Sequence, residues 1–347
     1  MSFFSPQKYS QDILVVGASA GGVEALSSLV SQLPADFPAS VFLVLHIPPE
    51  YPSQLPQILA RYANMPVSHP KDGDKYGHGQ IYVAAPDMHL LIDGDTIRMS
   101  RAPRENRFRP AIDILFRSAA RSCGPRVIGM ILTGVLDDGS AGLHAIKSVG
   151  GKAIVQNPED AQFDDMPRNA MNAVDVDHCI PLAEMGDLLS NMVNESAQNG
   201  DRPVSEDMEL EVRIALDYNA FESRVMNLGQ LTSYTCPECH GALAEISEGK
   251  IIRFRCHTGH AYSLNTMLVD VTQSIDASLW ETLRTIEESR LLMEHLAGHL
   301  QKAGEHDSAG KALEKSEKAK DSAKIVRKLV LDNEILSKEK MGVAAEG

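Results

Sequence analysis

The chain has 347 residues, more than one typical domain needs, and 43% hydrophobic and 23% charged residues are typical of a folded globular protein. Its formal net charge of −14 argues against general nucleic-acid binding, because clustered lysine and arginine hold a phosphate backbone. No apolar run approaches the roughly 20 residues that span a bilayer, and the first residues lack signal-peptide features. We therefore expect a cytoplasmic protein without nucleic-acid partners or membrane insertion.

Residues 1–193 alternate short apolar runs with amphipathic stretches, which predicts an α/β fold with a doubly wound, mostly parallel sheet. The predicted strands are DILVVGAS, SVFLVLHI, QIYVAA, RVIGMILTG and KAIVQN. The predicted helices between them include GVEALSSLVSQL, AIDILFRSAARSC and AGLHAIKSVG. The segment HLLIDGDTIRMS, with Asp93-Gly94 between two apolar stretches, predicts an inserted β-hairpin.

The remainder of the chain predicts three further segments. Residues 194–210 are polar and acidic, as in a linker, and residues 211–263 contain a short helix and a Cys/His ribbon. Residues 264–347 carry leucines at near-helical spacing with a break at Ala303-Gly304, which predicts an antiparallel helical hairpin.

A glycine-rich turn follows the first predicted strand. Ser19 lies in the sequence GASAGG, between the strand ILVV and the predicted helix GVEAL. Such a turn exposes the serine oxygen at the carboxyl edge of the sheet, near a helix N-terminus that can stabilise an oxyanion. The G-x-G-x-x-G dinucleotide fingerprint does not fit, because Ser19 stands at the second glycine position. A serine that only caps the helix is the alternative.

Two further polar residues lie at the ends of predicted strands. His46 ends SVFLVLH, and Asp138 follows GMILTG in the sequence ILTGVLDDG. A serine becomes a strong nucleophile when a histidine takes its proton and a carboxylate orients that histidine. Ligands of open α/β sheets bind outside the carboxyl ends of the strands, so Ser19, His46 and Asp138 are predicted to meet there. Taken singly, His46 also fits a buried structural histidine and Asp138 a turn former, and spacing alone leaves Asp137 as an alternative.

These motifs, in this order, resemble the catalytic domain of the chemotaxis protein-glutamate methylesterase family over about residues 12–193. The resemblance rests on GASAGG, LHIP, YVAAPDMHL, RPAIDILFRSAA, ILTGVLDDGSAGL and GKAIVQNPEDAQFDDMPRNA. It implies that Ser19 is the nucleophile, that His46 is the general base and that Asp138 orients the imidazole. The Asp-Gly of the motif favours Asp138 over Asp137. The Ser, His, Asp order differs from that of the common α/β-hydrolases.

Several features depart from the family pattern or remain open. Ala20 stands where threonine is common, and Val135 where methionine is frequent. The receiver domain that usually precedes the family's catalytic domain is expected to be absent, because the catalytic signature begins near Ser19. His89 lies near another strand end, where its role is ambiguous. Five arginines fit either a docking patch for an acidic receptor helix or a solvated loop: Arg98, Arg101, Arg104, Arg107 and Arg109.

The Cys/His cluster has the spacing of a tetrahedral zinc site. Cys236 and Cys239 form one CxxC pair, and Cys256 and His260 supply a second pair of ligands after a hairpin predicted around Glu248-Gly249. His240 and His257 are less favoured ligands. Four protein ligands would make the zinc structural. The other two cysteines, Cys123 and Cys179, are predicted to be buried, apolar-like side chains.

The sequence thus predicts a serine carboxyl-ester hydrolase of the methylesterase type, which needs no cofactor for catalysis. By the resemblance, its partner is a methylated chemoreceptor or receptor-like signalling protein, and deamidation of receptor glutamine is a related activity. Two other functions are the alternatives: a non-catalytic signalling scaffold that binds through the hydrolase fold and the ribbon, and an esterase for small molecules.

Overall fold

A computed structural model describes residues 12–47, 52–194, 203–217 and 225–331. The chain forms two compact units, Met1–Thr266 and Met267–Gly347. Within the described ranges, no helix is long and apolar enough to cross a membrane.

A seven-stranded sheet forms the centre of the first unit. Its strands are β1 (Ile13–Ala18), β2 (Ser40–Leu45), β3 (Val67–Ser68), β4 (Gln80–Val83), β7 (Val127–Ile131), β8 (Lys152–Gln156) and β9 (His178–Ile180). They lie in the order β3-β4-β2-β1-β7-β8-β9, and every neighbouring pair is parallel. The chain therefore winds outward on both sides of β1, which confirms the predicted doubly wound sheet and creates a crevice at its carboxyl edge.

Helices cover both faces of this sheet, because alternate strand residues point to opposite sides. Ile13 and Val15 belong to one buried apolar cluster, and Leu14 and Val16 to the other. The helices that contribute to the first cluster are α3 (Ile112–Cys123), α4 (Ser140–Ser148) and α5 (Asp165–Ala173). Those that contribute to the second are α1 (Gly22–Gln32), α2 (Leu55–Leu59) and α6 (Met185–Met192).

The predicted β-hairpin is confirmed: β5 (His89–Asp93) pairs antiparallel with β6 (Thr96–Ser100). The range predicted as a linker ends in a helix, since α7 (Glu206–Asp217) begins before residue 210. Ser205 starts this helix by accepting the Met208 N–H at 3.2 Å, and Met208 packs into the first apolar cluster. The rest of that predicted linker, residues 195–202, lies outside the described residues.

The Cys/His segment folds as a four-stranded antiparallel sheet, here called the ribbon. Its strands are β10 (Gln230–Thr235), β11 (Ala242–Glu248), β12 (Ile251–Cys256) and β13 (Ala261–Ser263). The predicted turn at Gly249 joins β11 to β12, and Gly249 adopts a φ of 62°, which favours glycine.

Two long helices follow, α8 (Leu264–Lys302) and α9 (His306–Leu331). Gly304 has a φ of 81° between them, and side chains pair as in an antiparallel hairpin, with Arg327 on Glu287 at 2.7 Å and Ser316 on Glu294 at 3.1 Å. The predicted helical hairpin is thus confirmed over residues 264–331, and residues 332–347 of its predicted range lie outside the described residues.

Candidate active site

Ser19 lies immediately after β1, in the turn that leads into α1. Its N–H donates to the Thr133 carbonyl at 3.0 Å, and its own carbonyl accepts the Gly22 N–H at 2.8 Å. Gly134 lies against it so closely that an added Cβ would stand 2.8 Å from the Ser19 Cβ. The turn is therefore fixed by backbone bonds and leaves space for Ser19 only because residue 134 has no side chain.

His46 follows β2, beside the serine. Its N–H donates to the Ala18 carbonyl at 3.2 Å, and its Nδ1 lies 3.1 Å from the Ser19 Oγ. Phe108 stacks on the imidazole with ring centroids 3.6 Å apart and planes within 5°. The imidazole, with only 2% of its side chain exposed, is held both by this ring and by its hydrogen bonds. Residues 48–51, where the sequence has the Pro-Pro that follows His46, lie outside the described residues.

Asp138 approaches from the loop between β7 and α4. Its Oδ2 lies 2.8 Å from the His46 Nε2 and also accepts the Ile112 N–H at 2.7 Å. Its Oδ1 accepts the Asn106 side-chain amide at 2.9 Å and the Gly139 N–H at 3.0 Å. The structure thus brings together the three predicted side chains at the carboxyl edge of the sheet, in one hydrogen-bonded row.

The Asp138 carboxylate is a negatively charged member of this row. Burial acts to raise the pKa of Asp138, but hydrogen bonds from His46, Asn106 and the Ile112 N–H outweigh it and hold that pKa below its ordinary value. The neighbouring Asp113 behaves in the opposite way: burial, and then the charge of Asp138, raise its pKa well above the usual range. An ionised Asp138 keeps a proton on the His46 Nε2, which leaves Nδ1 able to accept the proton of the Ser19 hydroxyl.

Sequence reasoning missed Asn106 and Phe108. Both lie in APRENRFRP, where only the arginines pointed to a function, and this stretch overlaps the start of RPAIDILFRSAA. Asn106 is 2% exposed, and its amide donates to both Asp138 and Asp113, at 2.9 and 3.0 Å. A polar residue and an aromatic residue next to a family motif were the available signals, but nothing in their spacing shows which side chains they meet.

Two residues that the sequence left open lie away from Ser19 and His46. The Asp137 carboxylate accepts hydrogen bonds from Ser263 Oγ at 2.6 Å and Asn265 Nδ2 at 3.1 Å. His89 is fully buried, and its Nε2 donates to the Pro103 carbonyl while its Nδ1 accepts the Ala111 N–H. Because both ring nitrogens are bonded to backbone groups, the His89 side chain has a structural role.

The arginine-rich segment is partly paired within the chain. Arg98 bonds to Asp72 at 2.8 Å, and Arg109 bonds to Asp87 at 2.6 Å. For these two arginines, the intramolecular partners weaken the docking-patch interpretation.

The four predicted metal ligands come together in the ribbon. Their ligand atoms all lie within 4.8 Å of one another, with 3.6 Å between the Cys239 and Cys256 sulfurs and 3.7 Å from the Cys236 sulfur to the His260 Nδ1. A tetrahedral zinc with Zn–S bonds of about 2.3 Å requires sulfurs roughly 3.8 Å apart, so the donor set fits this metal. Cys123 is buried as predicted, whereas the prediction for Cys179, which lies in the edge strand β9 and is exposed, was wrong.

This chain is similar to known proteins over the region that contains the site. Residues 14–189 match the family model described as CheB methylesterase. The chain is 35% identical over 191 residues to protein-glutamate methylesterase/protein-glutamine glutaminase 2 of Methanosarcina mazei, covering 53% of this chain and 52% of that protein. It is 36% identical over 178 residues to a putative enzyme of the same name from Leptospira interrogans, covering 51% of this chain and 92% of that protein.

Several of the curated relatives are about twice as long as the part that this chain matches: the shared region spans about half of the Methanosarcina mazei and Myxococcus xanthus proteins, 52% and 54%. Among solved structures, the Thermotoga maritima CheB methylesterase catalytic domain superimposes with a TM-score of 0.51 at 28% identity, covering 52% of this chain and 97% of that domain. The matched region contains the seven-stranded sheet and all three residues of the Ser19–His46–Asp138 row. The chain therefore belongs to the CheB methylesterase family.

Proposed function

We propose that the chain is a protein-glutamate methylesterase that uses Ser19, His46 and Asp138 to hydrolyse glutamyl methyl esters on chemoreceptors or receptor-like signalling proteins. One observation carries this proposal: the Ser19 Oγ, the His46 imidazole and the Asp138 carboxylate form a continuous row with gaps of 3.1 and 2.8 Å. Membership of the methylesterase family supports the same activity. The names of the relatives also suggest deamidation of glutamine as a second activity.

The reaction follows from the positions of these atoms. Ser19 Oγ attacks the ester carbonyl carbon while its proton passes to the His46 Nδ1, and the N-terminus of α1, which begins at Gly22, lies beside the developing oxyanion. The C–O bond to the methoxy group then breaks, and His46 returns the proton so that methanol leaves. Water, deprotonated by His46, then attacks the acyl-serine. The bond to the Ser19 Oγ breaks, His46 returns the proton to that oxygen, and the glutamate carboxylate is released. Throughout, Asp138 stabilises the imidazolium.

Methanol release from methylated chemoreceptor cytoplasmic fragments tests this proposal. Wild-type protein should release methanol, and Ser19→Ala should reduce the rate by at least about a thousandfold, because the nucleophile is gone. Ser31→Ala is the matched control, since Ser31 is an exposed serine on the adjoining helix α1. It should keep wild-type activity.

The other outcomes separate the alternatives. A fluorophosphonate probe reacts with an activated serine, so a scaffold protein would remain unlabelled at Ser19 and release no methanol. An esterase for small molecules would be labelled and would hydrolyse soluble esters, yet leave the methylated receptor intact. Either result would refute the receptor methylesterase assignment.

We also propose that Cys236, Cys239, Cys256 and His260 bind one structural zinc ion. The closeness of their ligand atoms supports this. All four tetrahedral positions are then protein side chains, so the metal has no position for substrate or water.

A further inference from the structure

The ribbon packs directly against the loop that carries Asn106 and Phe108, which is called here the coupling loop (residues 104–108). The Asn106 N–H donates to the Ala261 carbonyl at 2.8 Å, and the Ala261 N–H donates to the Arg104 carbonyl at 3.2 Å. The Ser263 N–H donates to the Asn106 Oδ1 at 2.8 Å. Strand β13 of the ribbon therefore holds both the backbone and the side chain of Asn106.

The conformation of the coupling loop depends on such contacts. Asn106 and Arg107 have φ angles of 51° and 75°, in the left-handed region that side chains other than glycine rarely adopt. Two such residues in succession are unfavourable in a free loop and persist when neighbours fix them. The bonds from β13 to Asn106 and Arg104 are among the contacts that fix this loop from the ribbon side.

The coupling loop in turn touches two members of the Ser19–His46–Asp138 row. Asn106 donates to the Asp138 Oδ1 at 2.9 Å, and Phe108 stacks on the His46 imidazole at 3.6 Å. The end of the ribbon also reaches Asp137, the residue before Asp138, through Ser263 Oγ at 2.6 Å. Asn106 thus links β13 to the Asp138 carboxylate, and Ser263 links β13 to Asp137.

The proposed metal ligands enclose the turn that places β13. Cys256 ends β12, and His260 directly precedes β13. Within this turn the Cys256 N–H donates to the His260 carbonyl at 2.9 Å. Since β13 has only three residues, the turn largely determines its register. A metal bound to Cys256 and His260 fixes both ends of this turn, and Cys236 and Cys239 tie it to the start of the ribbon.

Buried charges fasten the ribbon to the same region. The Arg255 guanidinium on β12 lies 3.0 Å from Glu105 in the coupling loop and 2.8 Å from Glu211 on α7. Arg117 on α3 pairs with Glu105 as well. These four side chains are at most 4% exposed, so each charge relies on the others for stabilisation.

We propose that the metal-loaded ribbon is a clamp that sets the catalytic position of Asp138 through Asn106. An ester hydrolysis whose chemistry uses no metal is thereby made dependent on zinc at a remote structural site. Asn106 is a positioning residue in this scheme, and the scheme rests on the proposed methylesterase function. The inference extends that function because, in this scheme, the ribbon controls the geometry of the Ser19–His46–Asp138 row.

The test uses the full-length protein and three variants. Cys239→Ser removes one proposed zinc ligand. Asn106→Ala removes the hydrogen bond between the coupling loop and Asp138 but leaves all four zinc ligands. Cys179→Ser makes the same thiol-to-hydroxyl change at an exposed cysteine outside the ribbon. Zinc content, far-UV circular dichroism, the rate of fluorophosphonate labelling of Ser19, and kcat and KM for methanol release are measured for each. The wild type is measured before and after zinc is stripped by a chelator and restored.

Stripped wild type and Cys239→Ser should lack zinc, and both their labelling rate and their kcat should fall about 10- to 100-fold. The reason is that loss of a hydrogen bond to a charged group misplaces Asp138. KM should change by less than about twofold, because the substrate surface is still present. Restored zinc should return the activity of the wild type. Asn106→Ala should show the same kcat loss at full zinc content, and stripping should slow it no further. Cys179→Ser should match the wild type.

Three results would overturn the clamp. They are a protein that binds no zinc, stripped protein with undiminished labelling and kcat, and an Asn106→Ala variant with wild-type kcat. If zinc removal disrupts the fold, Asn106→Ala still decides the question, because it retains the metal. Failure of the methylesterase assignment looks different: the wild type would then release no methanol, either with zinc bound or after zinc is stripped.

Discussion

A single buried histidine, His89, contributes a pH-dependent part of the stability. It begins β5, and burial lowers its pKa from 6.5 to about 4, with both ring nitrogens hydrogen-bonded inside the protein. In the folded chain it stays neutral above about pH 4, whereas in the unfolded chain it takes up a proton below 6.5. Its contribution is therefore complete above pH 6.5 and is lost as the pH falls from there toward 4.

His89→Gln should flatten this pH dependence. Between about pH 7 and pH 5 the wild type should lose about 2 kcal/mol of unfolding free energy through His89, and the variant should lack that loss although it is less stable at neutral pH. Urea titrations at both pH values measure the difference, and the remaining histidines are common to both proteins. If the unfolding free energy changed equally with pH in the two proteins, the role assigned to burial of this imidazole would be wrong.

How far single residues of the site were predictable depends on where their partners lie. Ser19 and His46 directly follow buried strands, and Asp138 lies in the loop after a third. Parallel strands end at one edge of a sheet, so the convergence of these residues follows from local pattern. Asn106 meets Ser263, which is 157 residues away in the chain, and no local pattern reports that contact. The catalytic roles of the three row residues, and the metal at the four ligands, remain predictions that the proposed measurements test.

Among the elements, α7 is the one whose contribution to the buried ionic cluster could not be predicted from the sequence. Its start lies in the polar range predicted as a linker, and its Glu211 looks like a surface residue in sequence. In the structure the Glu211 carboxylate is 1% exposed and bonds to Arg253 at 2.7 Å and to Arg255 at 2.8 Å. Charged residues are usually solvated, so a buried ionic cluster cannot be read from composition or periodicity.

Glu211→Ala should therefore be far more destabilising than an equivalent change elsewhere on α7. Burial acts to raise the pKa of Glu211, yet the positive charges of Arg117, Arg253 and Arg255 hold it well below its usual value, so the carboxylate is charged. Its removal leaves buried guanidinium groups without their main partner, and breaking such a pair costs about 3–5 kcal/mol.

Glu209→Ala is the matched control on the same helix. Glu209 pairs with Arg121 where 38% of its side chain is exposed, so its loss should cost no more than about 1 kcal/mol. Urea unfolding at neutral pH compares the two variants. Similar losses would show that the ionic cluster contributes no more than a surface pair.

At the level of the whole molecule, the predicted sheet, ribbon and helical hairpin all exist, but the ribbon belongs to the same compact unit as the sheet. That unit extends from Met1 to Thr266. Sequence composition suggested separate modules, because the polar stretch before residue 210 resembles a linker. The contacts that join the ribbon to the rest of the unit include charged and backbone groups, such as Glu105 with Arg255 at 3.0 Å, which carry no apolar signature in sequence.

This division predicts the effect of shortening the chain. All residues that hold Ser19, His46, Asp138 and the proposed metal lie in the first unit, whereas α9 and most of α8 lie in the second. A chain of residues 1–281 keeps about five turns of α8 and should label with fluorophosphonate at Ser19 within about twofold of the full-length rate, with one zinc retained. A chain cut at residue 250, which lacks Cys256 and His260, is the paired control and should lose both properties.

The same shortened chain can also be assayed for methanol release from methylated receptor fragments. If the helical hairpin only connects or assembles molecules, the 1–281 chain should also release methanol from methylated receptor fragments at the full-length rate. A chain that labels normally but fails on the receptor would assign receptor recognition to the second unit, because its serine would still be activated. Loss of labelling together with loss of methanol release would instead contradict the independence of the first unit, since activation of Ser19 would then require residues beyond 281.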